Sequence, residues 1–169
     1  VADNARDAAN LAGRIDGACR GTATGQKLSL EAWVLARYLR DVAKEASARL
    51  LRMSSGRFRF EVVDEDEGGR TVGLRVDIED LHTCETRPVS TLSGGETFLA
   101  SLSLALGLAD TVQRRAGGVQ IDCLFVDEGF GALDSDTLEL AIDTLADLRE
   151  GGRSVGVISH VEGVRDRLD

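Results

Sequence analysis

The sequence predicts an α/β fold with a parallel β–α–β core, reached through a long helix, a β-hairpin and a buried helix. Three observations lead there. Residues 121–128, IDCLFVDE, and 154–159, SVGVIS, are apolar runs without alternation, and the amphipathic stretch SDTLELAIDTLADLRE lies between them. Strand, helix and strand at that spacing form a crossover, so the two strands should be parallel, with the first covered on both faces. Upstream, Phe58, Phe60 and Val62 alternate with charged residues, EDEGG supplies a turn, and Val72, Leu74, Val76 and Ile78 alternate again. That is the pattern of a hairpin with one wet face.

The elements follow in order. Residues 1–20 carry a thin helical stripe through Ala5, Ala8, Leu11, Ala12 and Ile15, suited to an exposed helix or the stub of a coiled coil. GTATGQ (21–26) interrupts it. A stronger helix is predicted over Leu30–Met53, with Ser29 as N-cap and an apolar face of Leu30, Trp33, Val34, Leu39, Val42, Ala46 and Leu50. After the hairpin, residues 81–91 read as a loop closed by Arg87-Pro88. A buried helix is expected from about Glu96 to Arg115, leading through Gly117-Gly118 to the first parallel strand. Ser135 or Asp136 would cap the crossover helix, and Gly151-Gly152 would stop it.

Composition narrows the classes. At 169 residues, 43% hydrophobic and 29% charged, the chain reads as a globular protein with a real core. The apolar run from Phe98 to Ala109 is too short for a bilayer, so no membrane role is expected and a cytoplasmic location is the default. A net charge of −9 argues against a general nucleic-acid sponge. Arg49, Arg52, Arg57 and Arg59 cluster, and a solvated helix face running into a strand accounts for them simply. Cys19, Cys84 and Cys123 form no CxxC pair, and the two histidines lie apart, which removes zinc and disulfide frameworks; Cys123 is expected to be buried.

Chemistry concentrates in the second half. Parallel strands end on one edge of a sheet, where ligands bind. The first ends in Asp127-Glu128 and the second in Ser159-His160. An acidic pair after a strand suits metal-assisted phosphate chemistry: one carboxylate holds Mg2+ through water while its neighbour polarises an attacking water. The loop GFGALD would bring Asp134 back to the same edge. Ser93-Gly94-Gly95-Glu96 fits a capping box, with Ser93 as N-cap and Glu96 at the third helical position. A capping box needs no glycines, however, and two of them expose N–H groups where the helix dipole favours an anion.

Together these residues resemble the nucleotide-binding head of ABC-type ATPases. LSGGE (92–96) is similar to the ABC signature, CLFVDE (123–128) to Walker B, ALD (132–134) to the D-loop, and ISH (158–160) to the switch histidine. Order and spacing match. TLSGGETFLASLSLALGLAD, LFVDEGFGALD and GVISHV further resemble the C-terminal part of SbcC, the SMC-like ATPase subunit of the SbcCD exonuclease complex in DNA repair and recombination. So does AWVLARYLRDVAKEASARLLRMSSGRFRF (32–60), where a returning coiled coil enters the head.

The resemblance implies the C-terminal lobe of an ABC/SMC-type ATPase head over residues 28–169, with 1–27 at the coiled-coil base. It implies that Asp127 coordinates Mg2+ through water, that Glu128 is the general base for ATP hydrolysis, and that His160 contacts the γ-phosphate region. Ser93, Gly94, Gly95 and Glu96 would bind the nucleotide of a second protomer, with Asp134 across the dimer interface. Implied partners are the N-terminal Walker A lobe of the same protein, a second SbcC-like protomer, an SbcD-like nuclease and double-stranded DNA, in a nucleoid-associated setting. Two departures stand out. Ala132 occupies a D-loop position where relatives often carry serine, and no G-x-x-x-x-G-K-[ST] occurs, so this chain alone is expected to be inactive. Competing readings are a RecN-like or structural SMC-type ATPase without a nuclease, an ABC transporter domain, and a non-enzymatic binding module. DEGFGALD favours the SbcC type, because many ABC proteins have DEP there.

Overall fold

In the computed structural model the described residues are 2–21, 29–63, 75–115, 117, 121–150, 152–161 and 163–164. The EDEGG turn, Val72, Leu74, Gly118, Gly151 and most of GTATGQ lie outside them. By packing, the chain divides into residues 1–40 with 62–75, and residues 41–61 with 76–169.

The first unit holds helix α1 (Ala2–Cys19) and the beginning of α2 (Leu30–Met53). Leu11 and Ile15 are exposed on α1, as its thin stripe anticipates. Ser29 caps α2 as expected: Ala32 N–H donates to Ser29 Oγ at 3.2 Å, and Trp33 N–H to Ser29 O at 2.9 Å. The apolar face of α2 is not buried throughout. Leu30, Trp33, Val34, Leu35 and Tyr38 are exposed, whereas Val42, Ala43, Ala46, Leu50 and Met53 are buried in the second unit. Periodicity shows that a stripe is apolar along its whole length, not which part finds a partner.

In the second unit α2 is followed by Ser54, whose Oγ donates to Leu50 O at 2.6 Å and accepts from Phe58 N–H at 3.0 Å. That bond hands the chain to β1 (Phe58–Val63). β2 (Arg75–Asp80) lies between β1 and β3 (Glu85–Pro88) in a three-stranded sheet. β3 corrects the expected loop: it pairs antiparallel with β2, Asp77 opposite Pro88 and Asp80 opposite Glu85. Four residues reading ETRP carry no apolar alternation, and their proline fits an edge strand, so no periodicity announced it.

Helix α3 (Gly94–Arg115) packs on α2 through Gly107. A Cβ at Gly107 would meet Ala46 N at 2.7 Å and Val42 O at 2.8 Å, so only glycine permits this approach. Leu99, Ala100, Leu102 and Leu106 are buried, but Leu108 and Val112 are exposed; α3 is amphipathic rather than wholly buried. Ion pairs line the α2–α3 seam: Arg49 with Asp110, Arg114 with Glu45, and Arg115 with Asp41.

β4 (Cys123–Asp127) and β5 (Ser154–Ile158) pair in parallel, Phe125 opposite Gly156 and Asp127 opposite Ile158, with α4 (Ser135–Glu150) as the crossover. The parallel β–α–β core is therefore as expected. Its burial is not. Val126 is buried, but Phe125 is 75% and Ile158 59% exposed, and Cys123 is exposed rather than buried. Phe125 lies over Gly156, where a Cβ would come within 2.6 Å of its ring. The run is apolar on both faces because parallel sheets are normally covered on both; among the described residues only one face is.

Candidate functional site

The turn 129–133 sits between two groups of candidate residues. One group is at the sheet edge. β4 ends at Asp127, and Glu128 N–H donates to Ile158 O at 2.8 Å, extending the ladder by one bond. Glu128 has φ +60°, a left-handed conformation uncommon for a side chain of this kind. Gly129 follows at φ +99°, where a Cβ would lie 2.2 Å from the Phe98 ring. Phe98 and Phe130 meet edge to face at 4.9 Å, which pins the turn to α3. His160 Nδ1 lies 2.8 Å from Glu128 Oε2, and both side chains are substantially exposed. The sheet thus brings Glu128 and His160 into direct contact, with Asp127 beside them.

The other group is at the start of α3. The capping box forms reciprocally: Ser93 N–H donates to Glu96 Oε2 at 2.8 Å, and Glu96 N–H to Ser93 Oγ at 3.3 Å. Thr97 N–H bonds Ser93 O at 2.8 Å, beginning the helix. The two glycines have separate reasons. A Cβ at Gly95 would strike Ala132 O at 2.7 Å, so Gly95 allows α3 to touch the turn; Gly94 meets nothing nearer than Ala132 Cβ at 3.8 Å. Close packing thus demands one glycine and leaves the other free.

Asp134 joins this second group. It, rather than Ser135 or Asp136, caps α4: Oδ1 accepts from Thr137 N–H at 2.9 Å and Oδ2 from Thr137 Oγ1 at 3.0 Å. Leu138 N–H bonds Asp134 O at 2.9 Å, so the helical bonding begins ahead of both caps that the sequence offered. Hydrogen bonds from the Thr137 backbone, and then its hydroxyl, hold the Asp134 carboxyl below its ordinary range. Ser93, Gly95, Glu96, Ala132 and Asp134 line one cleft of about 280 Å³, with Arg57 and Thr137 also on its wall. On the far flank of the turn, His160 Nε2 would be 3.5 Å from a Cβ at Gly131.

Of the clustered arginines, Arg52 and Arg59 are exposed, as a solvated face requires, while Arg49 and Arg57 are partly covered. Each crosses to another element: Arg49 to Asp110, Arg52 to Asp147, Arg57 to Asp80 and Arg59 to Glu79. Arg57 and Arg87 also bracket Glu96, at 3.7 and 3.8 Å. Sequence reasoning missed that arrangement, because it joins three segments with no shared period.

Among the described residues no three His, Cys, Asp or Glu side chains converge on a metal position, and no helix is long and apolar enough to cross a membrane.

Comparison with solved structures identifies the fold as that of an SMC ATPase head. A chain from work on ATP-driven dimerization and DNA-stimulated activation of SMC ATPases superposes with a TM-score of 0.62 at 16% identity, covering 82% of this chain and 78% of the other. An Smc head domain with coiled coil and joint from Pyrococcus yayanosii gives 0.60 at 18% identity, over 80% of this chain and 25% of the other. A sequence profile described as SbcC/RAD50-like, Walker B motif, matches residues 54–147. The chain belongs to the SbcC/RAD50-like family. It is 49% identical over 146 residues to the SbcC protein of the nuclease SbcCD from Vibrio cholerae, and 47% over 144 residues to that from Treponema pallidum. These alignments cover 86% and 85% of the chain and 14% of each relative.

Proposed function

We propose that this chain is the C-terminal lobe of an SbcC-type ATPase, in which ATP-driven pairing of two heads controls the access of an SbcD-like nuclease to double-stranded DNA. In this reading residues 28–169 form the lobe and 1–27 the base of a coiled coil, in a cytoplasmic, nucleoid-associated complex. The observation that carries it is the division of the site by the turn 129–133. Glu128 and His160 stand on one flank, while Ser93, Glu96 and Asp134 share a cleft on the other. One flank serves the chain's own nucleotide and the other the nucleotide of a second protomer. The name that the relatives carry, nuclease SbcCD, favours a nuclease partner over a structural SMC-type or RecN-like role.

Glu128 is the general base. Its carboxylate takes a proton from water as the water oxygen attacks the γ-phosphorus and the bond to ADP breaks. His160, in contact with Oε2, orients the carboxylate, and its exposed ring reaches toward the γ-phosphate. Asp127 offers an exposed carboxylate beside Glu128, the hard oxygen donor that suits Mg2+ held largely by water and phosphate oxygens. Mg2+, when bound, neutralises charge on the phosphates. Gly94 N–H and Ser93 at the start of α3 face the nucleotide of the other protomer, with the helix dipole favouring its phosphates. The Walker A lobe of the same protein supplies the phosphate-cradling loop and covers the bare face at Phe125 and Ile158.

The test is ATP turnover beside ATP-dependent head pairing in the full-length protein. Glu128→Gln should lower turnover by about a hundredfold or more while pairing persists, and the present chain alone should show no turnover. Near-normal hydrolysis by that variant would remove Glu128 as the base.

A further inference from the structure

Glu96 places a negative charge at a helix end that, on the reading above, must receive another protomer's polyphosphate. A carboxylate stabilises a free helix N-terminus, but unopposed it would repel that ligand. The structure supplies the opposing charge. Arg57 Nη1 lies 3.7 Å from Glu96 Oε1, and Arg87 Nη2 lies 3.8 Å from Oε2. Neither guanidinium is a loose tail. Arg57 Nε and Nη2 donate to Asp80 Oδ2 at 3.0 and 2.7 Å, and Asp80 is buried, its Oδ1 accepting from His82 N–H at 3.0 Å. Arg87 Nη1 donates to Thr91 O at 2.9 Å and to Thr91 Oγ1 at 3.0 Å. Both stand over the Phe58 ring, at 4.5 and 5.5 Å from its centroid.

We propose that Arg57 and Arg87 are positioning residues for the start of α3. They cancel the charge of Glu96 and keep its carboxylate on Ser93 N–H, so that the helix end presents net attraction to the nucleotide. The proposal rests on residues 93–96 facing a nucleotide across a head dimer. It also gives the three-stranded sheet a role, since β1 and β3 bring the two guanidiniums to one carboxylate from opposite sides of β2.

The experiment follows ATP-dependent fluorescence transfer between labelled heads of the full-length protein carrying Glu128→Gln. Arg87→Gln should raise the ATP needed for half-maximal pairing about five- to tenfold at low salt, less at high salt, with little change in thermal midpoint. Arg87→Lys should restore most of the loss. Arg57→Lys, which keeps a cation on buried Asp80, should cause a smaller rise, since Lys lacks the fork that reaches both carboxylates. The deciding comparison adds Glu96→Gln, whose amide oxygen still accepts from Ser93 N–H. With Glu96 uncharged, replacing Arg87 should cost nothing further. An unchanged ATP requirement in Arg87→Gln, or an equal loss with and without the Glu96 charge, overturns the proposal alone. Absence of ATP-dependent pairing without any substitution at 57, 87 or 96 would sink the underlying site reading, and the positioning role of Arg57 and Arg87 with it.

Discussion

The start of α3 and the edge of the β4–β5 sheet flank the same turn, yet they are built to different standards. At the start of α3 the capping box is closed, Gly95 is packed on Ala132, and Glu96 is bracketed by two anchored arginines. At the sheet edge Glu128 sits at φ +60° with an exposed carboxylate, His160 Nδ1 lies 2.8 Å from it, and Phe125 and Ile158 are bare. The first region is complete within this chain. The second is prepared by it and left open. Chemistry gives a reason for the contrast. A surface that only has to recognise phosphate gains from being ordered in advance, since less freedom is lost on binding. On the proposed reading, Glu128 as base and His160 must admit water and nucleotide between them, and another lobe closes around them.

Three experiments on this chain break or sharpen that contrast. The largest effect is expected at Gly107, where the preformed side depends on backbone contact. Gly107→Ala should cost about 3 kcal/mol in denaturant unfolding, because its Cβ would meet the α2 backbone at under 3 Å. A loss below about 1 kcal/mol would show that α2 and α3 separate cheaply.

Acid should act next, and on the same side. Burial alone would push Asp110 up, but hydrogen bonds from Arg153 and Arg49 outweigh it and hold the carboxyl low. Asp80 is held low chiefly by its bond from Arg57, against the effect of burial. A depressed folded pKa contributes stability that is fully present above the unfolded value, about 3.9, and is lost as pH falls through the folded value. Unfolding midpoints should therefore drop below about pH 4, and Asp110→Asn should flatten that drop. An unaltered acid profile in the variant would remove the Arg49–Asp110–Arg153 group from the account.

The smallest effect is expected on the open side. Phe125→Ala should change the stability of this chain by no more than about 0.5 kcal/mol, since the side chain is 75% exposed. In the full-length protein the cost should be several times larger if the Walker A lobe covers that face. Equal costs in both would show that the face stays bare.

Much of the site was legible because it is local. A capping box spans four residues, a strand end is marked by the change from apolar to acidic, and Asp127, Glu128 and His160 follow from two parallel strands ending together. The cap of α4 lies one residue before Ser135 and two before Asp136, because Asp134, Ser135 and Asp136 are all competent caps and only geometry selects among them. The depth of burial at Cys123 and Phe125 was misjudged, because an apolar run reports what a strand is suited to, not what is present to cover it.

By itself the sequence determined the order of the helices and of every strand but β3, the parallel crossover, the capping box and the acidic strand end, since each depends on short-range periodicity or on neighbouring residue types. Only the tertiary structure decided that β3 exists, that Gly95 is required by Ala132 while Gly94 is not, and that Arg57, Arg87 and Glu96 meet. Those outcomes depend on distances between segments far apart in the chain, and such distances are set by packing rather than by any pattern along it.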